Sequence, residues 1–491
     1  MPESLEVALA AAGGRTPSAV PRLARALGQR DLVLLFVVAI LNLNTVPVIA
    51  ASGPVTVWMW LLALAFFFVP QGLAVIELST RYPHEGGVYL WTKEVFGDFH
   101  GFISGWCYWT NNVFYIPTLV LYVVGISVFI GGAKMAALGN DTAYVSIMAT
   151  LVLWLMTGVN VLGLRIGKWV NNVGGIGSAA AAVLLVALAV AVSRAHGIPL
   201  HARDFRVGGM QWHLVGTFGV ICFSLVGLEL ASVMGDEIQE PRRTLPRAVV
   251  WGGLIAGSLY AAATIAVLLA MPAKEIGAVQ GIVQAVGRMA DRIGISWIVP
   301  PVALLLTIAI AGATSAWLAG AARIPFVAGL DHYLPAALGK LHPRYATPYV
   351  SLIVQGIASC AVLAMSFFGS TVQEGYRILL LLAVVLQLLP YIYVFIALIA
   401  LALRHDFVVV RYRRPTLLFA GVAGTLVSAI GAVLAFIPPG GGESGWVFET
   451  KMIVGTLIFL GLAALLYHRA IRRGGGRAIE VAAPAARVAQ G

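Results

Sequence analysis

The sequence predicts an all-α integral membrane protein of about 12 transmembrane helices: a 5+5 inverted-repeat core with helices 1 and 6 broken, plus two extra helices. Three observations carry that fold class. Of 491 residues, 60% are hydrophobic and 11% charged, with a mean hydropathy of +0.90, against roughly half apolar and a quarter charged in soluble domains. The apolar residues gather into segments about 20 residues long, the length that crosses a bilayer's hydrocarbon core. Two of those segments, five apart in order, are interrupted by polar or helix-breaking residues at mid-membrane depth.

Hydropathy windows of about 19 residues place the spans at 32–52, 55–78, 100–131, 142–163, 169–193, 212–235, 246–270, 298–328, 349–369, 377–402, 415–437 and 447–469. The expected organisation is a tail over 1–30, one transmembrane domain over 31–470 and a tail over 471–491. Within the domain, the repeats cover about 31–194 and 211–403, and helices 11 and 12 about 415–469. An even number of crossings puts both termini on one side. Assigning that side to the cytoplasm gives the inner segments 23 of the 32 Lys and Arg residues, which is the sense of the positive-inside rule. The same topology accounts for the net charge of +11. No basic patch interleaved with aromatics is present, so nucleic acid is not an expected partner, and membrane lipid is.

In the first span, the apolar run Leu32 to Leu41 gives way to Asn42, Asn44, Thr45 and Pro47. Amides and a proline at that depth are tolerated where freed backbone lines a cavity or is buried in protein. A discontinuous helix is one reading, and a proline kink with Asn bonded to neighbouring helices is the other. The sixth span repeats the anomaly at Ser224-Leu225-Val226-Gly227-Leu228-Glu229. Glu229 is the one carboxylate expected deep inside a span, at a cost of about 2.5 to 3.5 kcal/mol on insertion scales. It calls for a partner, a proton or a substrate. Half-helix N-termini at two such breaks would offer N–H groups to an anion and freed carbonyls to an ammonium, the two ends of an amino acid.

Other chemistry is poorly supported. Gly163-Leu164-Arg165-Ile166-Gly167-Lys168-Trp169 lacks both the spacing and the Ser or Thr of a phosphate-binding loop. The nine histidines show no metal-ligand spacing and the three cysteines no paired spacing, so neither cofactor nor metal is expected. No extramembrane stretch is long enough for an ATPase domain, so transport would run on gradients.

The chain resembles the amino acid/polyamine/organocation superfamily of transporters. The resemblance rests on Gly86-Gly87-Val88-Tyr89-Leu90-Trp91, on Gly101-Phe102-Ile103-Ser104-Gly105-Trp106, on the acidic-Pro-Arg loop from Asp236 to Ala248, and on Asp331 with Leu334-Pro335 and Pro348. Within it, Pro47 with Ala50-Ala51-Ser52-Gly53, Gly227 to Ser232, and Ser315-Ala316-Trp317 with Gly320 and Arg323 are similar to the glutamate/GABA antiporter-like branch. The resemblance implies alternating access and an amino acid or decarboxylated amine as substrate. It implies a central site of Asn44, Thr45, Val46, Pro47 and Ala50 with Ser224, Gly227 and Glu229, closed over by Trp317 and Tyr108. Tyr391 reads as a packing residue. For coupling, Glu229 is the candidate for a proton and Thr314 and Ser315 the candidates for an ion, although helix back-bonding is the simpler role for those two hydroxyls. Exchange of amino acids or amines across the plasma membrane is the expected function. The alternatives are a polyamine or organic-cation carrier and a transporter-like nutrient sensor; exact substrate and oligomeric state stay open.

Overall fold

The computed structural model describes residues 27–82, 84, 86–198, 200–206, 215–234, 238–367, 371–404, 412–437 and 445–473. Most of both expected tails, and Asp236 and Glu237 of the acidic loop, lie outside the described residues. Among the described residues the regular elements are helices, with one isolated bridge pairing Leu27 and Ile238.

The first crossing is α1 (Gln29–Ile40), a single 3₁₀ turn over Leu43–Thr45, and α2 (Val46–Ala50). The second is α3 (Thr56–Ala63), a π-helical stretch over Leu64–Phe68, and α4 (Val69–Arg81). A short helix, α5 (Val88–Phe96), leads into α6 (Asp98–Ser127), α7 (Thr142–Val161) and α8 (Leu164–His196). The sixth crossing is split into α9 (Thr217–Ser224) and α10 (Leu230–Val233). Then follow α11 (Pro241–Ala270), a second short helix α12 (Gly281–Arg292), α13 (Val299–Ala321) continued by α14 (Arg323–Leu330), α15 (Tyr349–Ser366), α16 (Val372–Leu403), α17 (Arg414–Leu434) and α18 (Gly445–Arg472). Eleven crossings among the described residues are long and apolar enough to span a membrane. The interrupted sixth, α9 with α10, is not among those eleven.

The packing repeats as the inverted architecture requires. The third crossing, α6, lies along the tenth, α16, and the eighth, α13, lies along the fifth, α8, so each repeat contributes the same contact with the roles exchanged. The two short helices are related in the same way. At the face carrying the described ends of the chain, the loop before α5 meets the end of α10, where Gly86 N–H donates to Val233 O at 3.2 Å. At the opposite face, the start of α12 meets α2, where a Cβ on Gly281 would lie 2.8 Å from Pro47. The stretch from Lys274 to Gly294 is thus a built cap. Its Ile282, Val283, Val286 and Met289 recur at helical spacing and are buried.

The outer helices show what solvent they were selected for. α7 exposes Ile147, Leu151 and Leu155, and α18 exposes Leu457, Ile458 and Leu465, a surface that suits hydrocarbon and not water. The inner elements do the reverse and bury polar groups: Asn42, Asn44, Gln71, Asn111, Glu229 and Gln387 are at most 2% exposed. Glu77 on α4 is as fully buried as Glu229. It lies one turn from the helix end, so hydropathy alone gave no sign that it turns into the protein.

Candidate functional site

The two interrupted crossings pass each other at the centre of the bundle and are tied together at three levels. At the chain-end face, Gln239 N–H donates to Leu27 O at 2.9 Å beside the Leu27–Ile238 bridge. At the middle, Ser224 Oγ donates to Thr45 Oγ1 at 2.7 Å. At the opposite face, Ser52 Oγ and Thr217 Oγ1 are 2.6 Å apart.

The first break follows from its sequence. Pro47 has no N–H to return to the preceding turn, and Asn42, at φ −90° and ψ 88°, leaves the helical region. The carbonyls this frees are claimed by side chains, as burial demands. Ala39 O accepts from Asn42 Nδ2 at 3.1 Å and from Trp317 Nε1 at 3.3 Å. Asn42 O accepts from the Tyr260 hydroxyl of α11, and Asn44 O from the Tyr376 hydroxyl of α16 at 2.7 Å. Thr45 Oγ1 bonds Tyr260 Oη at 2.5 Å, and Tyr115 of α6 donates to Asn44 Oδ1 at 3.4 Å. Tyr115 is packed edge-on between Phe223 and Trp317, at ring separations of 4.9 and 5.7 Å. The first break is therefore set in a neutral cluster of hydroxyls, amides and rings.

The second break depends on Gly227, whose φ of 133° disfavours any side chain and whose Cβ would sit 3.1 Å from Ile40 and 3.3 Å from Ala39. That glycine serves the turn and the crossing of the two chains. Two residues on, Glu229 is enclosed by donors from three elements. Its Oε2 accepts from Gly227 N–H at 3.0 Å, from the Tyr391 hydroxyl, and from Gln71 Nε2 at 3.5 Å. Its Oε1 accepts from Gln387 Nε2 at 3.2 Å, and Gln387 Oε1 in turn accepts from Asn111 Nδ2 at 2.5 Å. Tyr108 faces the carboxylate from α6. Hydrogen bonds to a charged group contribute about 1.5 to 3 kcal/mol each. Two of them match the ~2.5 to 3.5 kcal/mol insertion cost, so the protein alone can satisfy this carboxylate.

The structure thus brings Asn44, Thr45 and Ser224 into one cluster and Gly227, Glu229 and Tyr108 into a second beside it. Val46 and Ala50 are buried on α2, Pro47 meets the α12 cap, and Trp317 holds the end of α1. The hydrogen bonds of Thr314 and Ser315 run to other partners. Thr314 back-bonds to Ile310 O at 2.8 Å, and Ser315 Oγ accepts from Asn160 Nδ2 at 3.1 Å. Reading the sequence missed Gln71, Asn111, Tyr115, Tyr260, Tyr376 and Gln387, and took Tyr391 for packing. A usable signal was present: Gln387 and Tyr391 are one helical turn apart, and Tyr108, Tyr115 and Tyr122 recur every seventh residue along α6.

Eleven membrane-length crossings among the described residues, with two broken helices meeting at buried polar groups, fit a multi-pass membrane transporter. The sequence profile described as amino acid permease matches residues 27–459, and the chain belongs to that family. An uncharacterized transporter of Legionella pneumophila is 26% identical over 452 residues, covering 88% of this chain and 94% of the relative. A glutamate/gamma-aminobutyrate antiporter of Lactococcus lactis is 23% identical, covering 82% and 81%. A probable agmatine/putrescine antiporter of the same species is 22% identical, covering 71% and 73%.

Proposed function

We propose that the protein exchanges amino acids or their amine derivatives across the plasma membrane by alternating access, with both termini cytoplasmic and the substrate held where the two broken helices cross. The observation that carries this reading is the Ser224–Thr45 tie at the crossing, flanked by one buried carboxylate and a neutral cluster of tyrosines and amides. The residues proposed to meet substrate are Asn44, Thr45, Val46, Pro47, Ala50, Tyr108, Ser224, Gly227, Glu229 and Trp317. Antiporters of glutamate and of agmatine among the relatives support exchange as the mode.

A polyamine or organic-cation carrier is the second reading, favoured by the relative named for agmatine and putrescine. It would make Glu229 a permanent counter-charge to an ammonium. The donors already gathered on both of its oxygens argue for the broader amino acid reading.

Uptake of labelled amino acids, glutamate, GABA, agmatine and putrescine into proteoliposomes, with and without unlabelled substrate inside, tests the proposal. Strong stimulation by internal substrate is expected. Uptake driven only by an ion gradient would replace exchange with symport. Binding without uptake would leave a nutrient sensor.

A further inference from the structure

We infer that the cavity between the end of α18 and the loop after α14 binds the headgroup of an anionic phospholipid, with Arg469 and Arg473 on its phosphate. The cavity measures about 490 Å³, inside the range of ~300 to 1,000 Å³ that holds small ligands. None of its lining residues belongs to the proposed substrate site. Leu466, Arg469, Ala470 and Arg473 follow the i, i+3, i+4, i+7 spacing of one helix face. Arg473, directly after the helix, still returns its N–H to Arg469 O at 3.2 Å, so the face continues through it. On that face Leu466 and Ala470 pack with Tyr333 and Leu334 of the loop, and these residues line the cavity together with the two arginines. Arg472 is exposed and outside the lining.

Arginines in the last turn of a crossing ordinarily anchor topology and complement the helix dipole, and Arg472 fits that role. Arg469 and Arg473 stand one turn apart over an apolar wall, and among the described residues neither side chain has a hydrogen bond or an ion pair. The acids beside Tyr333, Asp331 and Asp98, do not serve them: both pair with Lys93, at 2.6 and 3.6 Å, and neither lines the cavity. His332 brings a ring nitrogen to the same cavity. Two guanidinium groups without partners suit a phosphate, which each can grip through paired N–H groups. The lipid follows from position. α18 is the least buried of the eleven membrane-length crossings, and Leu462 and Leu465 are exposed on it, so hydrocarbon reaches within one turn of Arg469. A phospholipid sets its phosphate at that level with its chains along those leucines, which a soluble phosphate cannot do. Two cations favour a headgroup of net negative charge over a zwitterionic one.

The purified protein in neutral detergent is heated with increasing phosphatidylglycerol, or with phosphatidylcholine of the same chain length, and the rise in melting temperature gives the apparent affinity. Phosphatidylglycerol is expected to half-saturate at a concentration roughly tenfold below phosphatidylcholine. Arg469→Gln combined with Arg473→Gln weakens that binding roughly 30-fold. Ala336→Trp, at an exposed position of the lining, keeps every charge, fills the hollow and weakens binding roughly tenfold. Arg472→Gln removes one charge from the same turn and stays within about twofold of the native protein. A loss in Arg472→Gln equal to that in Arg469→Gln alone would reduce the effect to diffuse surface charge and overturn the site. Equal shifts with the two lipids would overturn the anionic headgroup, and inorganic phosphate or glycerol phosphate acting at the same concentration as phosphatidylglycerol would overturn the lipid. The inference needs only the membrane setting, so its test stands whether or not the protein exchanges amino acids.

Discussion

The two breaks solve one problem, freed backbone in a medium without water, with different chemistry. At the first, carbonyl oxygens are exposed and neutral donors come to them: Tyr260 to Asn42 O, Tyr376 to Asn44 O, and Asn42 and Trp317 to Ala39 O. At the second, a carboxylate is built in, and amides, a phenol and a backbone N–H converge on it. The difference assigns different sensitivities. The neutral break should respond to shape and hydrogen bonding at any pH, and the charged break to protons.

Replacing Glu229 is the largest test of that contrast. Glu229→Gln keeps the volume but loses the charge that at least two donors serve, and exchange in proteoliposomes is expected to fall roughly 100-fold while the melting temperature changes little. Unaltered exchange with an unaltered pH profile would erase the distinction between the breaks. Next comes Tyr376→Phe, which strands Asn44 O. An unsatisfied buried carbonyl costs about 1 to 3 kcal/mol, so a loss of roughly tenfold in exchange or a matching loss of stability is expected, at every pH alike. A pH-dependent loss would mean that the neutral break reports on the charge after all. Ser224→Ala cuts the central tie between the breaks together with the back-bond to Val220 O, and is expected to cost about 1 kcal/mol, close to fivefold in exchange.

The smallest effect belongs to the chain-end face. There Lys93 Nζ and the Tyr89 hydroxyl meet Asp331 Oδ2 at 2.6 and 2.5 Å. Burial first, and the Asp331 charge second, hold the Tyr89 phenol protonated well above the ordinary tyrosine range. A group that keeps its proton longer in the folded state contributes fully below the unfolded value of about 10 and loses that contribution only above it. Thermal stability of Tyr89→Phe relative to the native protein should therefore show no added pH dependence between pH 5 and 9, windows in which any slope would come from elsewhere.

How much of this was legible beforehand follows the physics of each feature. Hydrocarbon thickness writes itself into apolar run lengths, so the eleven membrane-length crossings among the described residues were readable within a few residues. Both breaks were readable from Asn42 to Pro47 and from Gly227 to Glu229, because those residues are expensive where they stand. The partners were not. Gln71 lies 158 residues from Glu229 and Tyr391 lies 162 from it, and a lone amide in an apolar helix does not say which distant residue it faces. The amphipathic cap α12 was hidden for another reason: a short helix on the bundle carries no membrane-length signal.

The Gly86–Gly87 corner fixes more than a turn. Gly87 adopts a φ of 44°, and a Cβ there would stand 2.9 Å from both the backbone nitrogen and the side chain of Val233. A methyl group added at Gly87 would press on the backbone of α10 itself, so this corner sets how closely the loop before α5 and the end of the sixth crossing can approach.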